Sequence, residues 1–363
     1  MKAAIVAAVN DACKIADVEI SEPGPGQVRV RISAAGVCRS DLSIADGTIP
    51  HRLPAILGHE ASGTVAAVGD GVTGVRVGDR VVLNWMPACG TCAMCTRQQP
   101  YLCQVASAAG TADYGRLADG TVLAPALGIA AFAQEAVLPE RAVVPLPDGI
   151  SPAEAALLGC TVLTGFGAVH RTALVQPGES VVVLGVGGVG QAVIQAARLA
   201  GAGSITAFDT VPGKEATARL QGATHFHSDK SSALRGVLRE TGGLGADHVF
   251  DCVGASESIF LAWKLTRRGG VTTVVGIGRK TDTVKFSVQE LCTSGRTLRG
   301  CVYGNSHPAE DIPLLAEHVR AGRLDLGSLI DTRIGLDDLP AVVNGAAPAG
   351  TGRTVVLMEE AAW

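Results

Sequence analysis

The chain has 363 residues, 47% hydrophobic, 18% charged and 4% aromatic, with 46 glycines and a formal net charge of −4. That length supplies two domains of ordinary size with packed cores. Charges of both signs are interspersed, with no basic run and no acidic tail, so nothing supports a nucleic-acid or membrane-surface binder.

In chain order, the first segment "MKAAIVAAVNDACK" meets a charge at Asp11, too early for a secretory signal. The expectation is a soluble, cytoplasmic protein. Thiols stay reduced there, so clustered cysteines favour a metal over disulfides. "GVCRSD" then supplies Cys38 with Asp41 three residues later, and "LGHEASG" supplies His59 and Glu60. "LLGCTVLTG" supplies Cys160 about a hundred residues further on. Two thiolates and one imidazole leave one tetrahedral position open on zinc, the mark of a catalytic site. Asp41 can hold the second ring nitrogen of His59 and fix its tautomer.

Between these lies "CGTCAMCTRQQPYLC", with Cys89, Cys92, Cys95 and Cys103 in fifteen residues. Three thiolates at three-residue intervals fold back around one ion, Gly90 permits the turn, and the fourth closes the shell. This is a structural zinc pattern. An iron–sulfur cluster uses other spacings, and disulfides need an oxidising compartment. Cys13, Cys252, Cys292 and Cys301 have no such surroundings and read as packing residues.

"ESVVVLGVGGVGQAVIQAARLAG" follows. Its uncharged core, Ser180 to Ala197, has four glycines and two glutamines, which argues against a membrane span. Val181–Leu184 reads as a buried strand, and Gln191 to Ala200 as a helix. Gly185, Gly187, Gly188 and Gly190, with Val189 between the last two, give a tight turn, close approach to a pyrophosphate and close helix–strand packing. "SITAFD" is a second strand ending at Asp209, 19 residues past Gly190. A carboxylate there accepts from ribose hydroxyls and repels an added phosphate, which favours NAD over NADP. "ADHVFDCVG" and "GGVTTVVGIG" read as strands, with "ESIFLAWKLTR" as a helix between them. The alternation implies an α/β protein with a doubly wound parallel sheet.

Together these motifs resemble the zinc-dependent medium-chain alcohol dehydrogenases, from "GVCRSD" to "GRTVVL" and in the family's order. "LADGT…FAQEAV" resembles the longer loop of the alcohol and class III (formaldehyde-type) enzymes. The resemblance implies a Rossmann domain over 162–302 and a mostly β, GroES-like catalytic domain over 1–161 and 303–363, with the active cleft between them. It implies that Cys38, His59 and Cys160 bind a catalytic zinc and that the four clustered cysteines bind a second, structural one. Ser40 takes the substrate's proton, and Glu60 is the acidic neighbour of the metal. Arg39 and Arg353 resemble pyrophosphate contacts, and Asp209 and Lys214 resemble ribose contacts. Thr164 and the backbone of Val275, Gly276 and Ile277 resemble nicotinamide contacts. Trp85 resembles an aromatic wall of the substrate pocket, which Phe132 and Tyr303 extend.

The expected reaction is hydride transfer between a primary, aryl or medium-length, alcohol and NAD, in a homodimer or homotetramer. Alternatives are an enzyme for formaldehyde–thiol adducts, with Arg116 as anchor for the thiol's carboxylate, and an enzyme with permanently bound cofactor. A non-catalytic NAD-binding protein predicts a damaged site, and Cys38, Ser40, His59, Glu60 and Cys160 are all present. One position departs from the family: Ser43 stands where many members have a proton-relay histidine. Either Ser43 with water completes the relay or another base does, and His51 lies nearby in sequence.

Overall fold

A computed structural model describes residues 1–346 and 350–358. The last residues of the expected catalytic domain, 359–363, lie outside that description. The chain divides into two compact units, Met1–Leu163 with His307–Trp363, and Thr164–Ser306. Tyr303 falls in the second unit. There Thr172 Oγ1 donates to the Gly304 carbonyl at 3.4 Å, tying the 303–306 turn to the 168–173 segment.

The second unit is built on six parallel strands. From edge to edge they are His225–His227, Ser204–Phe208, Ser180–Leu184, Ala246–Asp251, Thr266–Val274 and Thr297–Gly300. In chain order this is 3-2-1-4-5-6, the doubly wound order, and its switch point is at the carboxyl ends of strands 1 and 4. The central strands read as continuous apolar runs because both faces are covered. Val182, Leu184, Phe208, Val237, Val249 and Leu261 form one core.

Two boundaries differ from the sequence reading. The helix after the glycine turn is Gly188–Leu199, because Gly187 is its N-cap and the last glycines already form the first turn. The helix of "ESIFLAWKLTR" is Ser256–Leu265, and Thr266 and Arg267 start the next strand. There Arg267 Nε donates to Asp247 Oδ1 at 2.6 Å. Among the described residues no single helix is long and apolar enough to cross a membrane.

The first unit is mostly β. Its larger sheet has seven strands, centred on Gln27–Gly36 and Glu60–Val68, which pair antiparallel. Gly36 faces Glu60 in the register, so residues 38 and 59 leave adjacent strand ends although 21 apart in sequence. Arg353–Leu357 pairs with the other side of Gln27–Gly36. Cys160 follows the helix Pro152–Leu158. That helix starts with a capping box: Ser151 Oγ accepts from Glu154 N–H, and Glu154 Oε2 accepts from Ser151 N–H at 3.2 Å. Ser62 Oγ donates to the Pro152 carbonyl at 2.7 Å and pins the helix to the sheet.

Gly190 packs directly against the Gly185 carbonyl, and a β-carbon there would overlap it, whereas one at Gly187 meets open space. Gly190→Ala is expected to destabilise the apo protein by about 1–3 kcal/mol. Gly187→Ala should leave stability nearly unchanged. Urea midpoints measure both, and equal midpoints would remove the close-packing argument.

Candidate functional site

The sulfurs of Cys38 and Cys160 and the ring of His59 lie within 4.8 Å of one another. All three residues are buried. Asp41, in the first turn of the helix Arg39–Ala45, organises them. Its Oδ2 accepts from Cys38 N–H at 3.0 Å, and its Oδ1 accepts from Gly58 N–H at 3.2 Å and from His59 Nδ1–H at 2.9 Å. Nδ1 therefore carries a proton, and Nε2 is the nitrogen that would serve a bound metal. Burial alone would lower the His59 pKa, but the Asp41 charge and hydrogen bond outweigh it and hold it well up. The hydrogen bond with Cys160 draws the Cys38 thiol well down against burial, and Arg353 assists. Cys160 is correspondingly pushed up.

A second layer lies behind Cys38. Thr161 Oγ1 donates to the Glu60 carboxylate, 2.9 and 2.8 Å from its two oxygens. Arg353 Nε donates to the same hydroxyl at 2.7 Å, Nη1 to the Val37 carbonyl at 3.0 Å, and Nη2 to Cys38 Sγ and Glu60 Oε2, each at 3.4 Å. Burial pushes Glu60 up to about 7 although Arg353 pulls it down. Gly36 is required here, since a β-carbon would sit 2.6 Å from Glu60 Oε1. Sequence reasoning missed Thr161 and Gly36. Each adjoins a motif, but neither residue type announces a role. Arg353 stands in this cluster with 7% exposure, its guanidinium occupied by protein partners.

Ser40 is half-buried, with its Oγ 3.8 Å from Cys38 Sγ. Arg39 is exposed and lines a cavity of about 450 Å³ with Asp11, Asp46 and Asn344. Trp85 meets His59 edge-on, ring centroids 6.3 Å apart. It lines a cavity of about 250 Å³ with Ile49, His51, Met86, Ala106 and Leu127. His51 Nδ1 donates to the Arg52 carbonyl at 2.9 Å, and Nε2 accepts from Leu127 N–H at 3.3 Å. Both ring nitrogens of His51 are thus engaged by backbone groups. Ser43 is buried. Phe132 has 0% exposure and packs over Gly58 in the core. Arg116 lines a different cavity, with Glu19 and Asp113.

The four clustered cysteines also converge. Sγ–Sγ distances are 3.6 Å for Cys92–Cys95, 3.9 Å for Cys92–Cys103 and 4.0 Å for Cys89–Cys95. A tetrahedral ion with Zn–S bonds of about 2.3 Å sets sulfurs about 3.8 Å apart. Cys92 N–H donates to Cys89 Sγ and Cys89 N–H to Cys103 Sγ, both at 3.3 Å. No cysteine is disulfide-bonded. Both donor sets fit zinc.

In the second unit, Gly185 turns the chain with φ +90°. Asp209 braces that turn: its Oδ2 accepts from Val186 N–H at 2.8 Å and from Lys214 Nζ at 3.0 Å, and its Oδ1 from Val211 N–H at 3.0 Å. Val275 and Gly276 donate N–H to the Asp251 carbonyl, at 2.8 and 2.9 Å, at the carboxyl edge of the same sheet. Ile277 is exposed, and Thr164 and Tyr303 are buried.

Residues 24–148 match the Alcohol dehydrogenase GroES-like domain family, and residues 188–319 match the Zinc-binding dehydrogenase family. An S-(hydroxymethyl)glutathione dehydrogenase of Synechocystis is 34% identical over 350 residues, covering 93% of this chain and 94% of the relative. A crystal structure of an alcohol dehydrogenase zinc-binding domain protein from Burkholderia ambifaria superposes with TM-score 0.91 at 32% identity, over 98% of each chain. Benzyl alcohol dehydrogenase from Acinetobacter calcoaceticus gives TM-score 0.90 at 27% identity, over 98% of this chain and 99% of that one.

Metal analysis should find two zinc ions per chain. Cys92→Ser should remove one and lower the melting temperature, because binding at a closed four-thiolate site is coupled to folding. His59→Ala should remove the other with a smaller loss. Identical metal content in Cys92→Ser and the parent would exclude the cluster as a zinc site.

Proposed function

The chain belongs to the zinc-dependent medium-chain alcohol dehydrogenases, and on that premise we propose that it transfers hydride between a neutral primary alcohol, aryl or of medium length, and NAD. The product is the aldehyde, and the reverse reaction reduces it. The observation that carries the substrate class is the cavity lined by Trp85, the ring that meets His59 edge-on. Trp85, Ile49, Met86 and Leu127 wall it, and no Lys, Arg, Asp or Glu lines it. A thiol-adduct substrate of the kind named for the Synechocystis relative carries carboxylates and needs a cation there. Arg116 faces elsewhere, and Arg52 is paired with Asp113 at 2.7 Å. The likeness to benzyl alcohol dehydrogenase supports an aryl substrate.

Cys38, His59 and Cys160 would hold the catalytic zinc. Zinc supplies Lewis-acid polarisation of the alcohol or carbonyl oxygen, and nicotinamide supplies the hydride acceptor or donor. The protein's own part is placement and proton handling. Asp41 keeps His59 in the Nδ1–H tautomer. Arg353 and Thr161 balance the buried charge of Glu60 beside Cys38. Ser40 Oγ takes the alcohol proton, and Ser43 with water is the route that His51 leaves open. Asp209 faces the adenosine ribose and disfavours a 2′-phosphate, while Gly187 keeps the backbone open for the pyrophosphate.

NADH formation should be seen with benzyl alcohol and hexanol at higher kcat/KM than with ethanol, and it should stop with a chelator. Turnover that needs a thiol with formaldehyde, and none with free alcohols, would replace this reading with the thiol-adduct one. Asp209→Ala should shrink the preference for NAD over NADP at least about tenfold, a change of ~1.4 kcal/mol. An unchanged preference would remove the ribose role.

A further inference from the structure

We infer a second small-molecule site in the first unit, a pocket for a compact monocarboxylate with an apolar or aryl body. It is a cavity of about 560 Å³ that shares Met86 with the substrate cavity. Its apolar wall includes Met86, Val143, Val144, Pro308 and Pro313.

Its polar wall carries two donor side chains, Asn84 and Arg141, with His307 and the Glu310 carboxylate at the rim. Asn84 lines the cavity and is 4% exposed. Its Oδ1 is used by Met86 N–H at 2.9 Å, while its amide NH2 has no hydrogen-bond partner among the described residues and is not sealed from solvent. Arg141 also lines it. Its Nε donates to the Pro87 carbonyl at 3.2 Å, and its terminal nitrogens have no carboxylate partner among the described residues. The start of the helix Pro308–Arg320 completes the rim with the positive end of its dipole. Asp311 of that first turn is engaged, while the Glu310 carboxylate stays at the exposed rim of the cavity. Asp311 Oδ2 accepts from His307 N–H at 2.8 Å, and Glu310 Oε2 lies 3.6 Å from His307 Nδ1.

A guanidinium and an amide NH2 lining a cavity with an apolar wall, the one carboxylate lying at its exposed rim, select an oxyanion attached to an apolar body. Neither a bare anion nor a neutral ring satisfies both walls. Asn84, Trp85 and Met86 are consecutive, so an occupant packs against the segment that carries the Trp85 wall. Binding there shifts KM for the alcohol more than kcat.

The test uses zinc-loaded full-length protein and titration calorimetry with benzoate, against inorganic phosphate and benzamide. Benzoate should bind saturably with a Kd on the order of 1 mM or tighter, and both comparators more weakly. Arg141→Gln should weaken benzoate at least about tenfold, as loss of a charge-assisted hydrogen bond does. Ala309→Trp, which fills the cavity without changing charge, should abolish binding while alcohol oxidation persists. Benzoate binding that survives both substitutions is binding elsewhere and overturns the proposal. So does absence of binding in the parent, including the case where Ala309→Trp lowers the mass by light scattering and the cavity is covered by a second copy.

Discussion

Everything at the candidate metal centre depends on one buried carboxylate. Asp41 has no exposure, and an isolated charge there would cost several kcal/mol. Three N–H donors offset that cost, from the Cys38 backbone, the Gly58 backbone and the His59 ring. Because the donors come from both strand ends, the carboxylate sets the distance between them. The Gly36–Glu60 register brings the two ends together, and Asp41 fixes their orientation. Cys160 joins from a helix capped by Ser151 and pinned by Ser62. Without Asp41 the register would still pair the strands, but His59 would be free to turn.

Charge balance extends outward from there. Two thiols, an imidazole, a carboxylate and a guanidinium sit buried within one cluster, and none is left unopposed. Thr161 is the hinge of this arrangement, since its hydroxyl receives from Arg353 and donates to Glu60. The network occupies the Arg353 guanidinium with protein partners and leaves it little freedom.

Much of this was legible in the sequence where chemistry and spacing coincide. The four-cysteine spacing implied convergence because short intervals can close only on themselves. The alternation of strands with helices after the glycine turn implied the parallel sheet, because strands that run the same way need crossovers between them. The Asp41–His59 link was readable from donor and acceptor types. What was not legible depends on tertiary contact. The Cys38–His59 approach needs a strand register that no local pattern states. His51 has the same side-chain chemistry whether it shuttles protons or props up Leu127, and only its two partners decide. Phe132 sits next to the pocket in sequence logic, yet Gly58 gives its ring a place in the core. Helix boundaries moved for local reasons, as where Gly187 caps the helix one turn earlier than the apolar pattern suggests.

The nucleotide unit repeats the principle of Asp41 in a second carboxylate. Asp209 was singled out for ribose recognition, but it also accepts Val186 N–H and so holds the glycine turn against the next strand end. Lys214 neutralises the same Oδ2. On the proposed NAD reading, selectivity and loop geometry are therefore carried by one side chain. On that reading, removing the charge also frees the turn expected to admit the pyrophosphate, so affinity for either cofactor should fall along with discrimination between them. A change aimed at selectivity alone has to keep an acceptor for Val186 N–H and alter the charge that Lys214 opposes, which an amide at the same position does and a methyl does not.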